Sequence, residues 1–265
     1  MSAYAGRHAE LYDLFYADKP YGDEASFVHR CIQELSPLHV SRLLELACGT
    51  GQHSFGFEKL GYQVVATDYS NDMLEQAKRK AAVLASGVDF RFSDMRDLRL
   101  AGEVFDCAVC LFDSIGYVET NEALINVLNG VYRHLRPGGL FIFEFWHAAA
   151  MLVHFEPVRV RRWEFEGSKI LRISETTLNI ERQLARVNYS IYEFRPDGCY
   201  VFLQEVQKNR YFLIQEVAFM LESANFKPIR WFSGFCWDAP ICEDSWHILA
   251  VAQKVSCKSR QTKQS

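Results

Sequence analysis

Along the chain, short apolar runs bounded by turn residues alternate with stretches whose apolar positions recur every three or four residues. Residues 42–47 form the first such run, and the helix after it starts near Gln52 and stops around Gly61. Residues 63–67 read as a second strand. Ser70-Asn71-Asp72 then supplies an N-cap, and residues 73–84 carry apolar positions at helical spacing. Residues 88–92 are a third strand ending at Ser93-Asp94. Residues 105–112 are almost continuously apolar, as strands buried on both faces are. A helix over 121–135 closes at Arg136-Pro137-Gly138-Gly139, and residues 140–145 make a fifth strand. Upstream, Tyr4, Leu11, Tyr12, Leu14, Phe15 and Tyr16 suit one side of a helix broken at Lys19-Pro20. Residues 27–35 read as another helix, ended by Ser36-Pro37.

After residue 157 the rhythm changes. Four segments dense in β-branched and aromatic residues follow, roughly 158–165, 169–177, 185–194 and 199–211. Glu166-Gly167 and Arg195-Pro196-Asp197-Gly198 sit where hairpin turns belong. Residues 214–225 return to helix, 228–232 and 246–253 are strands, and the polar tail 254–265 is expected to fray. Strands alternating with helices imply parallel pairing and right-handed crossovers. The expected fold class is therefore α/β: a Rossmann-like, seven-stranded, mostly parallel sheet flanked by helices. An antiparallel β-sheet is inserted between strand five and the last helix.

Bulk properties narrow the partners. The 265 residues, 23% charged and 49% hydrophobic, suit one large domain or one domain with a sizeable insertion. A formal net charge of −4 leaves no electrostatic footprint for nucleic acid or an anionic membrane. No apolar run approaches the roughly 18 residues that span a bilayer, and the polar N-terminus has no signal-peptide core. Eight irregularly spaced cysteines do not resemble a secreted disulfide framework, so a reduced cytoplasmic protein is expected. Cys107 and Cys110 form a CxxC inside a strand, where alternation sends them to opposite faces. No metal is expected.

The chemistry concentrates at one edge of the predicted sheet. Leu43-Leu44-Glu45-Leu46-Ala47-Cys48-Gly49-Thr50-Gly51 is a strand running into a GxG turn, where glycine permits positive φ and close approach of a ligand. The dinucleotide fingerprint GxGxxG would place a third glycine where this chain has Ser54, which weakens that reading without excluding it. Glu45 is a carboxylate inside an apolar strand and needs a partner: a cationic ligand group, or the loop it fixes. Asp68 ends the second strand and suits a ribose diol. Asp94 ends the third and suits an exocyclic adenine amine. All three acids fall at carboxyl ends of successive strands, where open α/β sheets bind ligands.

On these residues the chain resembles the class I S-adenosylmethionine-dependent methyltransferases. The shared features are Glu45 to Gly51, Asp68, Phe92-Ser93-Asp94-Met95, Phe105-Asp106 and Leu135-Arg136-Pro137-Gly138-Gly139-Leu140. They cover about residues 40–147, and Asn225-Phe226 with the final strands extends the likeness. The resemblance implies S-adenosylmethionine as cofactor. It implies that backbone at Ala47, Gly49 and Gly51 borders the methionyl part, with Glu45 supporting the amino group or the loop. Asp68 would bind the ribose, Tyr69 and Met73 would wall the adenine, and Asp94 with the Met95 backbone would hold its edge. Leu111 and Phe112 would lie below the sulfonium. The implied division is an N-terminal cap and cofactor-binding core over 1–152, a β insertion for substrate or dimer contacts over 153–212, and core completion over 213–254. A flexible tail follows over 255–265.

A looser likeness, carried by Tyr12-Asp13-Leu14-Phe15-Tyr16, Lys19-Pro20-Tyr21 and the β-rich insertion, is to methyltransferases of nucleotide-linked amino sugars. It implies a small-molecule methyl acceptor and a homodimer through the insertion. An amine acceptor needs no strong base, whereas a hydroxyl acceptor wants one such as His147, after strand five. Asp113 and Ser114 are placed either to orient a substrate or to cap the next turn. Tyr117 and Trp146 are candidate substrate walls, and Tyr12 and Tyr21 candidate covers for the cofactor. Arg159, Arg161, Arg162 and Arg172 suit either a diphosphate or a solvated strand face. N-methylation of an amino sugar leads, ahead of O-methylation through His147 and of a non-catalytic cofactor-binding subunit.

Overall fold

The computed structural model describes residues 6–255. Tyr4 and the tail beyond residue 255 lie outside the described residues. Two helices come first, α1 (Arg7–Phe15) and α2 (Tyr21–Leu35). The alternating core follows as β1 (Arg42–Leu46), α3 (Gln52–Lys59), β2 (Gln63–Asp68), α4 (Asn71–Leu84), β3 (Asp89–Phe92), β4 (Phe105–Cys110), α5 (Asn121–His134) and β5 (Leu135–His147). Next come α6 (Ala148–His154) and the strands β6 (Val158–Phe165), β7 (Ser168–Asn179), β8 (Leu184–Phe194) and β9 (Tyr200–Phe212). The chain then closes with α7 (Ile214–Ser223), β10 (Phe226–Ser233) and β11 (His247–Lys254).

β1 to β5 pair in parallel in the order β3-β2-β1-β4-β5, and β11 lies antiparallel against β5 with β10 outside it. Those seven strands match the expected core. The alternation of side chains builds its two apolar layers. Leu44, Leu46, Ala108, Cys110, Phe141, Phe143 and Phe145 pack against α5 and α7. Leu43, Cys107, Val109, Leu140, Ile142, Leu249 and Val251 face α2, α3 and α4. Cys107 and Cys110 therefore point to opposite faces.

The antiparallel sheet is continuous with this core. Hairpins join β6 to β7 and β7 to β8, and β8 pairs along its length with β9. Beyond the end of β4, β9 meets β5 through Trp146↔Tyr211 and His147↔Phe212. Several boundaries differ from the sequence reading, among them the end of β4, which stops at Cys110 short of Leu111 and Phe112. α2 begins at Tyr21 because Pro20 occupies the N-cap and Asp23 and Glu24 favour the positive end of the helix. β5 runs straight through the Pro-Gly-Gly segment, where a Cβ on Gly139 would lie 2.8 Å from the Asp106 carbonyl oxygen. The short helix α6 has no counterpart in the sequence reading.

Candidate active site

The turn after β1 is built from left-handed backbone: Ala47 (φ 51°), Gly49 (φ 57°) and Gly51 (φ 81°). Asp68 fixes it from β2, its Oδ2 accepting from the Gly49 amide (2.8 Å) and its Oδ1 from the Ser70 amide (2.8 Å). Burial raises the Asp68 carboxyl above its ordinary range, against these amides, which favour the anion. Beneath the turn, Ser54 Oγ donates to Glu45 Oε2. Burial pushes the Glu45 carboxyl up to about 8, the serine offsetting part of the shift. The residue in the third-glycine place is thus the partner this buried acid needs.

Three adjoining clefts share Ala47 at the carboxyl ends of the parallel strands. Tyr12, Tyr21, Glu45, Gln52, His53 and Leu111 line one end. Gly49, Asp68, Met73 and Phe112 line the middle, and Tyr69, Asp94, Met95 and Tyr117 the other end. Past Phe112 and Asp113 a fourth cavity opens under the antiparallel sheet, lined by Trp146, Arg172, Tyr189 and His247 among others. α1 covers the clefts. Thr50 Oγ1 and Lys80 Nζ both donate to Asp13, at 2.6 and 2.7 Å, and the Tyr16 ring meets Phe112 edge-on at 5.0 Å.

Most of the expected site residues line these spaces, with three corrections. Gly51 lines none of the four. A Cβ there would lie 2.7 Å from the Phe90 ring, so its glycine serves packing beneath the turn. Asp94 borders its cleft, but both its oxygens are held by the Arg96 guanidinium. His147 also lines none of the four. Alternation along β5 places it on the face of Phe145, opposite Glu144 and Trp146, and its Nδ1 sits 3.1 Å from the Ser245 carbonyl oxygen. Burial lowers its pKa, and the geometry gives it no path to an acceptor.

The histidine that lines the fourth cavity is His247. β11 runs antiparallel to β5, so its first residue, not its last, reaches the cleft. His247 Nδ1 lies 3.0 Å from Asp113 Oδ1 and 3.2 Å from Glu144 Oε1. Burial alone would lower its pKa, but the two carboxylates raise it to about 10. Burial and the neighbouring Asp113 raise that of Glu144. Glu144 Oε2 accepts from the Phe112 amide at 2.7 Å, which steadies two successive left-handed residues, Phe112 (φ 56°) and Asp113 (φ 55°). Asn209 Nδ2, from β9, donates to the Asp113 carbonyl at 3.2 Å.

Arg172 is buried among the rings of Phe15, Tyr16, Trp163 and Tyr189, its guanidinium carbon 4.8–5.6 Å from their centroids. Its Nε and Nη1 have no hydrogen-bond partner among the described residues. Arg159 and Arg161 line the same cavity, whereas Arg162 borders a separate surface hollow with Asp18 and Trp163.

Residues 43–139 match the family model described as a methyltransferase domain. A dTDP-3-amino-3,6-dideoxy-alpha-D-glucopyranose N,N-dimethyltransferase of Streptomyces fradiae is 32% identical over 194 residues, covering 71% of this chain and 72% of that protein. The chain belongs to the class I S-adenosylmethionine-dependent methyltransferases. A dTDP-3-amino-3,4,6-trideoxy-alpha-D-glucopyranose N,N-dimethyltransferase of Streptomyces venezuelae is 38% identical over 143 residues. That match spans 52% of this methyltransferase and 57% of its relative, so little more than half of that protein's length is matched. The crystal structure of Streptomyces venezuelae DesVI superposes with a TM-score of 0.76 at 25% identity, covering 93% of this chain and 99% of that one. Among the described residues, no helix of this methyltransferase is long and apolar enough to cross a membrane.

The donor set fits S-adenosylmethionine, the cofactor of the family. Carboxyl groups of Glu45, Asp68 and Asp94 stand near the ends of β1, β2 and β3 along the clefts. Aromatic side chains wall the space between them, and left-handed Ala47 and Gly49 bring bare backbone to its floor.

Proposed function

We propose that this chain N-methylates a small polar amine, an amino sugar first, in the cytoplasm. One observation supports this reading above the others. The cavity that opens from the cofactor cleft at Phe112 presents Asp113 between aromatic walls, and the one histidine lining it among the described residues, His247, has its Nδ1 turned to Asp113 and Glu144. The names of the two Streptomyces relatives point to the same acceptor class.

The proposed roles follow position. Glu45 lies at the cleft end suited to the cofactor's amino group, Asp68 in the middle suits the ribose, and Tyr69 and Met95 suit the adenine. Bound S-adenosylmethionine supplies an electrophilic methyl group on sulfur. The protein's task is to hold the acceptor nitrogen in line and exclude water. Asp113 accepts from the acceptor's N–H groups, and Tyr16, Trp146 and Tyr189 wall it. Tyr117 borders both the middle cleft and the far end. Arg172, Arg159 and Arg161 offer guanidinium groups to an anionic portion such as a diphosphate. A homodimer through the outer face of the antiparallel sheet is part of the proposal, because Val158, Val160, Phe194 and Phe202 are exposed there.

The test is calorimetric titration with S-adenosylmethionine, followed by an assay on dTDP-3-amino-3,6-dideoxy-α-D-glucopyranose read by product mass. Micromolar cofactor binding and a methylated amine are expected. Absence of cofactor binding, or methylation of a hydroxyl in place of the amine, would sink the proposal.

A further inference from the structure

His247, Asp113 and Glu144 come from three separate elements, yet their nitrogen and oxygen atoms all lie within 4.8 Å of one another at the junction of the cofactor cleft and the acceptor cavity. A single Nδ1–H faces two carboxylates there. Glu144 is fully used, one oxygen on His247 and the other on the Phe112 amide. Asp113 has one oxygen on His247. We propose that His247 is a positioning residue for the methyl acceptor: its Nδ1–H fixes one oxygen of Asp113 so that the other faces the acceptor amine. This rests on the reading of the site as an amine methyltransferase.

Three features converge on that role. The left-handed pair Phe112–Asp113 is a conformation that unrestrained L-residues avoid. Here it is tied from three sides, by Glu144 on β5, Asn209 on β9 and the Gly116 amide, which donates to the Asp113 carbonyl at 2.9 Å. Second, acceptors outnumber donors: one imidazole N–H is shared by two carboxyl groups, which leaves an Asp113 oxygen for an amine N–H, and an amine arriving as ammonium gives its proton to solvent before methyl transfer. Third, the remaining charged groups of the cavity stand around the cluster without replacing His247. Lys19 precedes α2, Glu156 and Arg159 pair with each other at 2.8 Å, Arg161 lies on β6, Arg172 on β7, and the Tyr189 hydroxyl on β8. The acceptor class that fits is an amine bearing an anionic group at its far end, so that Asp113 and the arginines engage opposite ends of one molecule.

The experiment compares the wild-type chain with His247→Leu, His247→Gln and Asp113→Asn. Calorimetry with S-adenosylmethionine serves as the folding control and is expected to agree within about twofold. With dTDP-3-amino-3,6-dideoxy-α-D-glucopyranose as acceptor, His247→Leu is expected to lose roughly 10- to 100-fold in kcat/KM, the scale of a charge-assisted hydrogen bond. His247→Gln, which keeps a donor, should recover part of it. Independently of turnover, the His247 ring resonances in proton NMR should titrate near pH 10 in the wild type. In Asp113→Asn they should move towards about 6.5. Wild-type kcat/KM in His247→Leu, or an unmoved titration in Asp113→Asn, would overturn the role of His247. Turnover lost to a chelator and restored by Mg²⁺ would do the same. A wild type that binds cofactor but methylates no amine would instead fail the amine reading of the site.

Discussion

Ser54 Oγ donates to Glu45 Oε2, and both side chains are buried beneath the turn that follows β1. The pair links the strand to the first turn of α3. It also leaves an acid at the cleft end whose carboxyl is pushed up to about 8.

The pH dependence follows from that shift. In the unfolded chain Glu45 ionises near pH 4.3, whereas in the folded protein it holds its proton to about pH 8. Its stabilising contribution is complete below about pH 4.3 and is lost as pH rises through 8. Denaturant unfolding should therefore show Glu45→Gln gaining on the wild type between pH 5 and 8. Ser54→Ala, which strands the acid, should cost about 1–3 kcal/mol.

Asp68 has a double duty, holding the amides of the glycine turn and facing the middle cleft. Asp68→Ala is expected to weaken S-adenosylmethionine binding by roughly 10- to 100-fold. Asp68→Asn should fall between it and the wild type. Titration calorimetry reads both.

His147 is turned towards the Ser245 carbonyl and away from the cavities. His147→Ala should leave the pH profile of turnover unchanged and lower stability by about 1–2 kcal/mol through the lost packing and hydrogen bond. A rate loss that grows at low pH would restore the base assignment.

Gly116 is required by its neighbour on β9: a Cβ there would lie 1.8 Å from Asn209 Oδ1 and 2.7 Å from the Arg210 carbonyl oxygen. Gly116→Ala is expected to cost about 1–3 kcal/mol in thermal unfolding. It should impair acceptor use more than cofactor binding, since Asn209 also holds the Asp113 carbonyl.

Arg172 Nε and Nη1 have no hydrogen-bond partner among the described residues and lie inside a box of four rings. Replacing a poorly satisfied buried cation by an apolar chain of similar length is often neutral for stability. Arg172→Met should therefore keep its melting temperature while raising KM for a nucleotide-linked amino sugar about tenfold, the loss of one charge-assisted contact. Unfolding scans and steady-state kinetics separate the two effects.

Much of this was legible in the residues. Short apolar runs bounded by turn residues, with the glycine turn, located the core strands, and the three acids fell at the edge where the clefts lie. The limits were directional. His147 was favoured because it follows β5, but side-chain alternation within β5 turns it to the other face. His247 begins an apolar strand, and recognising that this strand must run antiparallel would have placed it at the cleft. Glu144, flanked by Phe143 and Phe145, carried the signal that singled out Glu45: a carboxylate within an apolar run. Asp94 shows a different limit, since its partner Arg96 lies two residues away and only side-chain geometry reveals the pairing. Gly51 fits a turn by pattern, and its positive φ agrees, but the close Phe90 ring that adds to its need for glycine is distant in sequence.

The seam between β5 and β9 is two residue pairs long. The antiparallel sheet is otherwise internally paired, strand to neighbouring strand, from β6 to β9. Strand pairing is not its only anchor: Ile170 and Ile191 pack on Leu11 and Phe15 of α1, and Glu193 accepts from the Arg7 guanidinium. A chimaera that exchanges this sheet must therefore reproduce two matched surfaces, one for α1 over the cofactor cleft and one around Asn209 and Tyr211 for Gly116 and the end of β5.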